Sequence, residues 1–113
     1  IAMAGVGSNV VFENNKIKVW EFYLEPGEKT PVHTHEMDYI FYVIDGSSLE
    51  VFDADDNFLS TFDVADGDVV PLRLEGDELV VIGNESHRLP ATHSARNAGP
   101  NRYREILIET KQA

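Results

Sequence analysis

Cysteine is absent from all 113 residues, which rules out disulfides and thiolate metal ligands together. Basic residues are scarce. Nine Lys and Arg face 20 Asp and Glu, for a formal charge of −11, so phosphate backbones and anionic membranes are repelled and neither nucleic acid nor membrane is expected as a partner. No apolar run approaches the ~20 residues needed to span a bilayer, and the opening IAMAGVGSN has no basic flank before an apolar stretch, so it does not read as a secretory signal. Its first residue, Ile1, suggests that the true start lies upstream or was removed. A cytoplasmic location is expected. Glycine-rich phosphate loops are missing, so nicotinamide and nucleotide cofactors are not implied. Ser86-His87 and His93-Ser94 are neighbours in extended chain whose side chains point apart, the wrong geometry for activating a hydroxyl. Internal repeats are missing, and no window carries a long amphipathic helix.

What remains is a succession of turns and short apolar runs. Asn14-Asn15, Pro26-Gly27, Asp45-Gly46, Asp55-Asp56-Asn57, Asp66-Gly67, Glu75-Gly76-Asp77, Gly83-Asn84 and Ala98-Gly99-Pro100 punctuate stretches rich in β-branched and aromatic residues. This pattern predicts an all-β sandwich or barrel. Strands are expected over 10–12, 17–24, 39–44, 48–53, 58–64, 68–72, 79–82 and 103–109, with short ones at 33–35 and around His93. A hydrophobic content of 42% suffices for one core, so residues 1–113 are read as a single domain with its core over about 16–110 and an arm over 1–15. Between Ile17 and Leu24 both strand faces are largely apolar, which asks for cover on both sides.

The run PGEKTPVHTHEMDYIFYVIDG, residues 26–46, carries the chemistry. His33 and His35 are one residue apart, and on a strand that spacing puts both imidazoles on one face, within reach of one metal ion. Gly27, separated from His33 by five residues, and Gly46 complete a pattern that resembles the first motif of the cupin superfamily: glycine, His-x-His, a glutamate and a closing glycine. Counted back from Gly46, the glutamate position holds Tyr39. Asp38 lies one strand step away and should face the other side, as should Glu36 relative to His35.

The cupin second motif ends in a histidine and, after three intervening residues, an asparagine. His93 and Asn97 are similar to that ending, which makes His93 the third ligand of choice. His87 is the alternative third ligand, because it follows Gly76 by the glycine-to-histidine spacing of that motif, but Ala91 stands where the asparagine should and Ile82 where a proline should. Six extended residues span ~20 Å, so His87 and His93 would not share one ion without a reversal of the chain. Residues 72–89 exceed the usual motif and read as an insertion or an extra hairpin over the barrel mouth.

The resemblance covers about Lys16 to Glu109 and implies a jelly-roll β-barrel holding one divalent transition metal, Fe, Zn or Ni, through His33, His35 and His93. Three neutral histidines leave such an ion its full charge, which favours anionic or chelating oxygen substrates. Cupins of this three-histidine type include dioxygenases. The resemblance therefore implies a metal-dependent, Fe-type dioxygenase or related enzyme acting on a small oxygenated or carboxylated molecule. Tyr39, which departs from the motif, is read as a catalytic residue near the open coordination positions, its phenol bonding a metal-bound water or substrate, or equally as a core tyrosine of the apolar run YIFYVI. The alternatives are a non-catalytic ligand-binding or regulatory module and a metal-free, isomerase-like cupin. A homodimer is expected as well. Arg88, Arg96, Arg102 and Arg104 cluster late in the chain, where pairing with surface acids is the favoured reading over receipt of a substrate carboxylate.

Overall fold

A computed structural model describes residues 6–111; residues 1–5, and with them the reading of Ile1 and the first part of the segment examined for a targeting signal, lie outside the described residues. Eleven strands follow one another among them: β1 (Asn9–Glu13), β2 (Ile17–Leu24), β3 (His33–Thr34), β4 (Tyr39–Asp45), β5 (Ser47–Phe52), β6 (Phe58–Val64), β7 (Val69–Glu75), β8 (Glu78–Val81), β9 (Arg88–Pro90), β10 (Thr92–Asn97) and β11 (Tyr103–Thr110). No helix among the described residues is long and apolar enough to cross a membrane. A seven-stranded sheet runs β1-β2-β11-β4-β7-β8-β9 and a four-stranded sheet runs β3-β10-β5-β6. Every pairing is antiparallel. The two sheets form a jelly-roll sandwich.

Period-two alternation places the core between them. On β4, Tyr39, Phe41 and Val43 point inward while Ile40, Tyr42 and Ile44 point outward, and on β11 the inward row is Tyr103, Glu105, Leu107 and Glu109. Phe22, Leu24, Leu49, Val51, Leu72, Leu79 and Leu89 complete the interior. The apolar runs of the sequence therefore became strands, and their alternate residues became the core.

Two glycines are needed where they stand. Gly27 takes φ +82° in the turn that ends at the histidine run, a conformation that side chains with a Cβ rarely adopt. A Cβ on Gly46 would meet the Val64 carbonyl oxygen at 2.4 Å, so the β4–β5 turn presses directly on the end of β6. Asn97 explains its own place in the motif. Its Nδ2 donates to the carbonyls of Leu24 (3.0 Å) and Asn101 (2.8 Å), and its Oδ1 accepts from Ser47 Oγ (2.6 Å) and Gly99 N (3.0 Å). The backbone N–H of Gly27 donates to its carbonyl at 2.8 Å. One buried amide thus ties both motifs together.

The segment 72–89, expected as an insertion or an extra hairpin over the mouth, folds as antiparallel hairpins within the larger sheet. It continues the larger sheet as the end of β7, all of β8 and the start of β9, with Leu72↔Val81 and Leu79↔Leu89 in register. Leu79 and Val80 are wholly buried. The reason is the pairing of two successive tight turns, at Gly76 and at 82–87, which fold an apolar stretch back on itself twice.

Candidate metal centre

The chain first brings His33 and His93 together by strand pairing. β3 and β10 are antiparallel with His33 directly opposite His93, and the flanking Thr34 and Thr92 hydroxyls bond at 2.9 Å. His35 follows just past β3, held by its own N–H donating to the Ala91 carbonyl at 2.9 Å. The ring centroids stand 5.1 Å apart for His33 and His35, 4.8 Å for His33 and His93, and 5.0 Å for His35 and His93. One nitrogen of each ring lies within 4.8 Å of the others, and all three residues are buried.

Ring orientation is set by backbone carbonyls. His33 Nδ1 meets the Pro31 carbonyl at 3.0 Å and His93 Nδ1 meets the Pro90 carbonyl at 2.7 Å. A carbonyl can only accept, so Nδ1 carries the proton in both rings and Nε2 keeps its lone pair. This is the arrangement that fixes tautomer and direction in metal-binding histidines. His35 Nδ1 is buried with no partner among the described residues, an orphaned polar atom that costs free energy unless something binds the ring. Burial holds the His33 imidazole below its ordinary range, takes His93 down to about 4 and His35 to about 2, with the neighbouring histidines adding to the last two. Neutral rings with aimed lone pairs suit a divalent transition metal, and the residues fit such a group.

Tyr39 stacks on His35, ring centroids 4.3 Å apart and planes 13° from parallel. It is buried, and desolvation, with Glu105 and Glu109 adding to it, raises its phenol well above the usual range. It stays a neutral hydroxyl. His87 lies elsewhere: its ring stacks on Phe62 at 4.2 Å, and it is not part of the histidine cluster. Asp38 faces away from the histidines and accepts from Leu74 N at 2.8 Å. Glu36 is exposed. The four late arginines pair with surface acids: Arg88 with Glu75 and Glu78, Arg96 with Glu50, Arg102 with Glu25, and Arg104 with Glu21.

The triad opens on a cavity of about 70 Å³. Its walls are mostly apolar, including Phe22, Phe41, Leu49 and Leu107, and besides the histidines and Tyr39 one acidic residue lines it, Glu105. Sequence reasoning passed over Glu105, although the alternation of YREILIET already put it on the same face as Tyr103 and Leu107. Glu109, two steps further, is satisfied by the Trp20 indole N–H at 2.7 Å. Glu105 accepts a hydrogen bond from the Tyr103 hydroxyl. Desolvation outweighs that bond and pushes its carboxyl up to about 8.

Comparison with known proteins places this geometry. A cupin domain from Bordetella pertussis Tohama I superposes with a TM-score of 0.68 at 20% identity, over 99% of each chain. A double-stranded β-helix protein from Klebsiella pneumoniae superposes at 0.57 and 18% identity, over 95% of this chain and 76% of that one. The polyketide cyclase RemF of Streptomyces resistomycificus reaches 0.52 at 19% identity, over 88% of this chain and 57% of that one. At such identities the likeness is one of fold. No curated protein sequence matches. The family model described as auxin binding protein matches residues 1–63, more than half of the chain and the part that carries His33, His35 and both motif glycines. With this fold and that match, the chain belongs to the auxin-binding-protein family within the cupin superfamily.

Proposed function

We propose that the protein holds one divalent transition metal through His33, His35 and His93 and there binds a small oxygenated or carboxylated molecule, which it converts as a dioxygenase-type enzyme. The observation that carries this reading is the set of three buried, neutral imidazoles, two of them aimed by the Pro31 and Pro90 carbonyls, at the side of an apolar cavity. A bound ion would supply Lewis acidity and, if iron, redox chemistry. The chain's own residues do the rest. The imidazoles bring no negative charge, the apolar walls exclude water and strengthen any charge contact inside, and Tyr39 seats the ring of His35 while keeping its phenolic proton. Metal analysis of protein purified without added metal, followed by oxygen uptake with β-diketones, thiols and keto acids, tests it. Oxygen uptake that depends on iron and on one of these substrates is the expected result; tightly held zinc with no uptake would overturn the enzymatic part.

A second reading has its own support. The family description names ligand binding rather than turnover, so a module that takes up a small carboxylate at the metal without converting it is the alternative. Saturable binding without any product separates the two.

We also infer a homodimer. Paired residues across the larger sheet form outward apolar rows: Phe12, Val19, Ile108, Ile40 and Pro71 in one, and Ile106, Tyr42 and Val69 in the next. Phe12, Tyr42 and Val69 are each about half exposed, at 53%, 49% and 56%. A second copy packed sheet to sheet would cover the face that Ile17–Leu24 leaves open.

A further inference from the structure

Glu105 has no place in the metal site, yet it is a carboxyl sunk in the same cavity. Only 4% of its surface is exposed, no arginine or lysine pairs with it among the described residues, and the apolar walls around it give an ionised carboxylate nothing to lean on. The register sets its backbone apart from that of the histidines, while its carboxyl acts on the Tyr39 phenol across the cavity. Glu109 pairs with Tyr39, the residue stacked on His35, and Glu105 stands four positions along β11, opposite Val43, which is ~13 Å of strand. Three imidazoles, phenylalanine and leucine side chains and this one carboxyl thus line a single cavity.

The hydrogen bond it makes decides which of its atoms faces a ligand. Tyr103 is wholly buried and its hydroxyl donates to Oε1 of Glu105, so Oε1 is occupied as an acceptor. In the neutral acid the proton then resides on Oε2, and no described residue takes a hydrogen bond from it. A donor on a cavity wall without a protein acceptor is a recognition element waiting for one. An N–H at this end of a ligand would find an acid with its accepting oxygen already engaged; a carbonyl oxygen would complete the pair.

We propose that Glu105 is a specificity-determining residue of the cavity, donating its Oε2 proton to a ketone-like oxygen on the far end of a small carboxylate whose anionic end lies at the three histidines. The inference rests on the reading of His33, His35 and His93 as a metal centre that takes a carboxylate. It narrows the ligand class to keto acids with an apolar middle, and it makes recognition depend on pH. The groups facing Glu105 are Tyr103 on its own strand, Tyr39 on β4, and His33, His35 and His93, with Asp68 acting on Tyr103 from the turn before β7. Burial holds the two phenols above the alkaline range and the imidazoles below the neutral range. Glu105, raised to about 8, is the group among them that changes charge between mildly acidic and mildly alkaline pH.

The test uses zinc-loaded protein and two matched pairs of probes, 4-oxopentanoate against pentanoate and 6-oxoheptanoate against heptanoate, with affinities from calorimetry. At pH 6.5 the keto acid of at least one pair is expected to bind ten times tighter or more than its plain partner. That preference should fall below twofold at pH 9.5, where an ionised Glu105 has lost its proton and repels the ketone oxygen. The ratio within a pair cancels pH effects at the histidines. Glu105→Gln keeps a donor and cannot ionise, so its preference should persist at both pH values, while Glu105→Leu should show none at either. In metal-free protein, the infrared band of a protonated, buried carboxylic acid should be present at pH 6.5, fade with a midpoint near 8 and be missing in Glu105→Gln. Equal binding of both members of both pairs by the wild-type protein overturns the role of Glu105 alone. Failure of all four acids to bind the zinc-loaded protein overturns the carboxylate site as well.

Discussion

At the scale of single residues, the site is a matter of which nitrogen points where. His33 and His93 each place Nδ1 on a proline carbonyl, and this turns Nε2 of both rings toward a common point. His33→Ala, His35→Ala and His93→Ala are each expected to lose most bound metal, since three protein ligands leave none to spare; His87→Ala, whose ring lies against Phe62, should retain it. Elemental analysis after gel filtration reads all four. Tyr39→Phe keeps the ring that stacks on His35, so metal content and fold should persist while substrate affinity or turnover falls, because only a hydroxyl is lost. A drop in metal in that variant would make the phenol a ligand. Asn97 satisfies four hydrogen bonds with one buried amide. Asn97→Leu, which orphans the Leu24 and Asn101 carbonyls and the Gly99 N–H, is expected to cost about 2–4 kcal/mol in urea unfolding.

At the scale of elements, pairing converts distant sequence into adjacency. β3 is two residues long, and alone it would position nothing; its register against β10 is what sets His33 opposite His93. The strand β10 also pairs with β5, Ser94↔Phe52 to Asn97↔Leu49, so the third histidine sits on a strand anchored from both edges. The turn between β4 and β5 is equally constrained. Gly46→Ala would drive a methyl into the Val64 carbonyl, and a loss of about 1–3 kcal/mol in thermal or urea unfolding is expected. The strands 17–24 and 58–64 match their expected limits, and 39–44 differs by one residue, because long alternating runs leave little freedom of register. β9, Arg88–Pro90, was not expected as a strand. It is three residues long, ends in proline, and is a strand only because β8 lies beside it.

At the scale of the molecule, two sets of buried titratable groups pull stability in opposite directions with pH. His93 and His35 have folded values far below their unfolded value of about 6.5, so the metal-free protein keeps their contribution above that pH and loses it as pH falls toward about 4 at His93. Glu105 has the reverse sign. Its contribution is complete below the unfolded carboxyl value of about 4.3 and is lost as pH rises through about 8. The melting temperature of metal-free Glu105→Gln, relative to wild type, should therefore climb between those two pH values and level off above them. A difference that does not vary with pH would show that Glu105 is ionised in the fold. The apolar outer rows make a further expectation at this scale: sedimentation should give twice the 12.7 kDa chain mass, and Tyr42→Lys, which sets a charge in the middle of the half-exposed face, should shift the protein to the monomer.

The amino-acid order by itself determined the all-β class, most strand positions and the pairing of His33 with His35 on one face. These depend on local alternation and turn chemistry, which act over a few residues and leave their period in the sequence. Tertiary structure decided the rest. Only folding could seat His93 against His33, 59 intervening residues away, place His87 on Phe62 instead, and turn 72–89 into parts of three strands of the larger sheet. The carbonyls of Pro31 and Pro90 acquired their part from the same closure, since a carbonyl looks alike in every sequence. Glu105 is the plainest case. Its face was written in the alternation of YREILIET, but an acid on a strand face is solvated unless another sheet covers it. It is the four-stranded sheet, arriving from other parts of the chain, that buries the carboxyl in an apolar cavity beside three histidines.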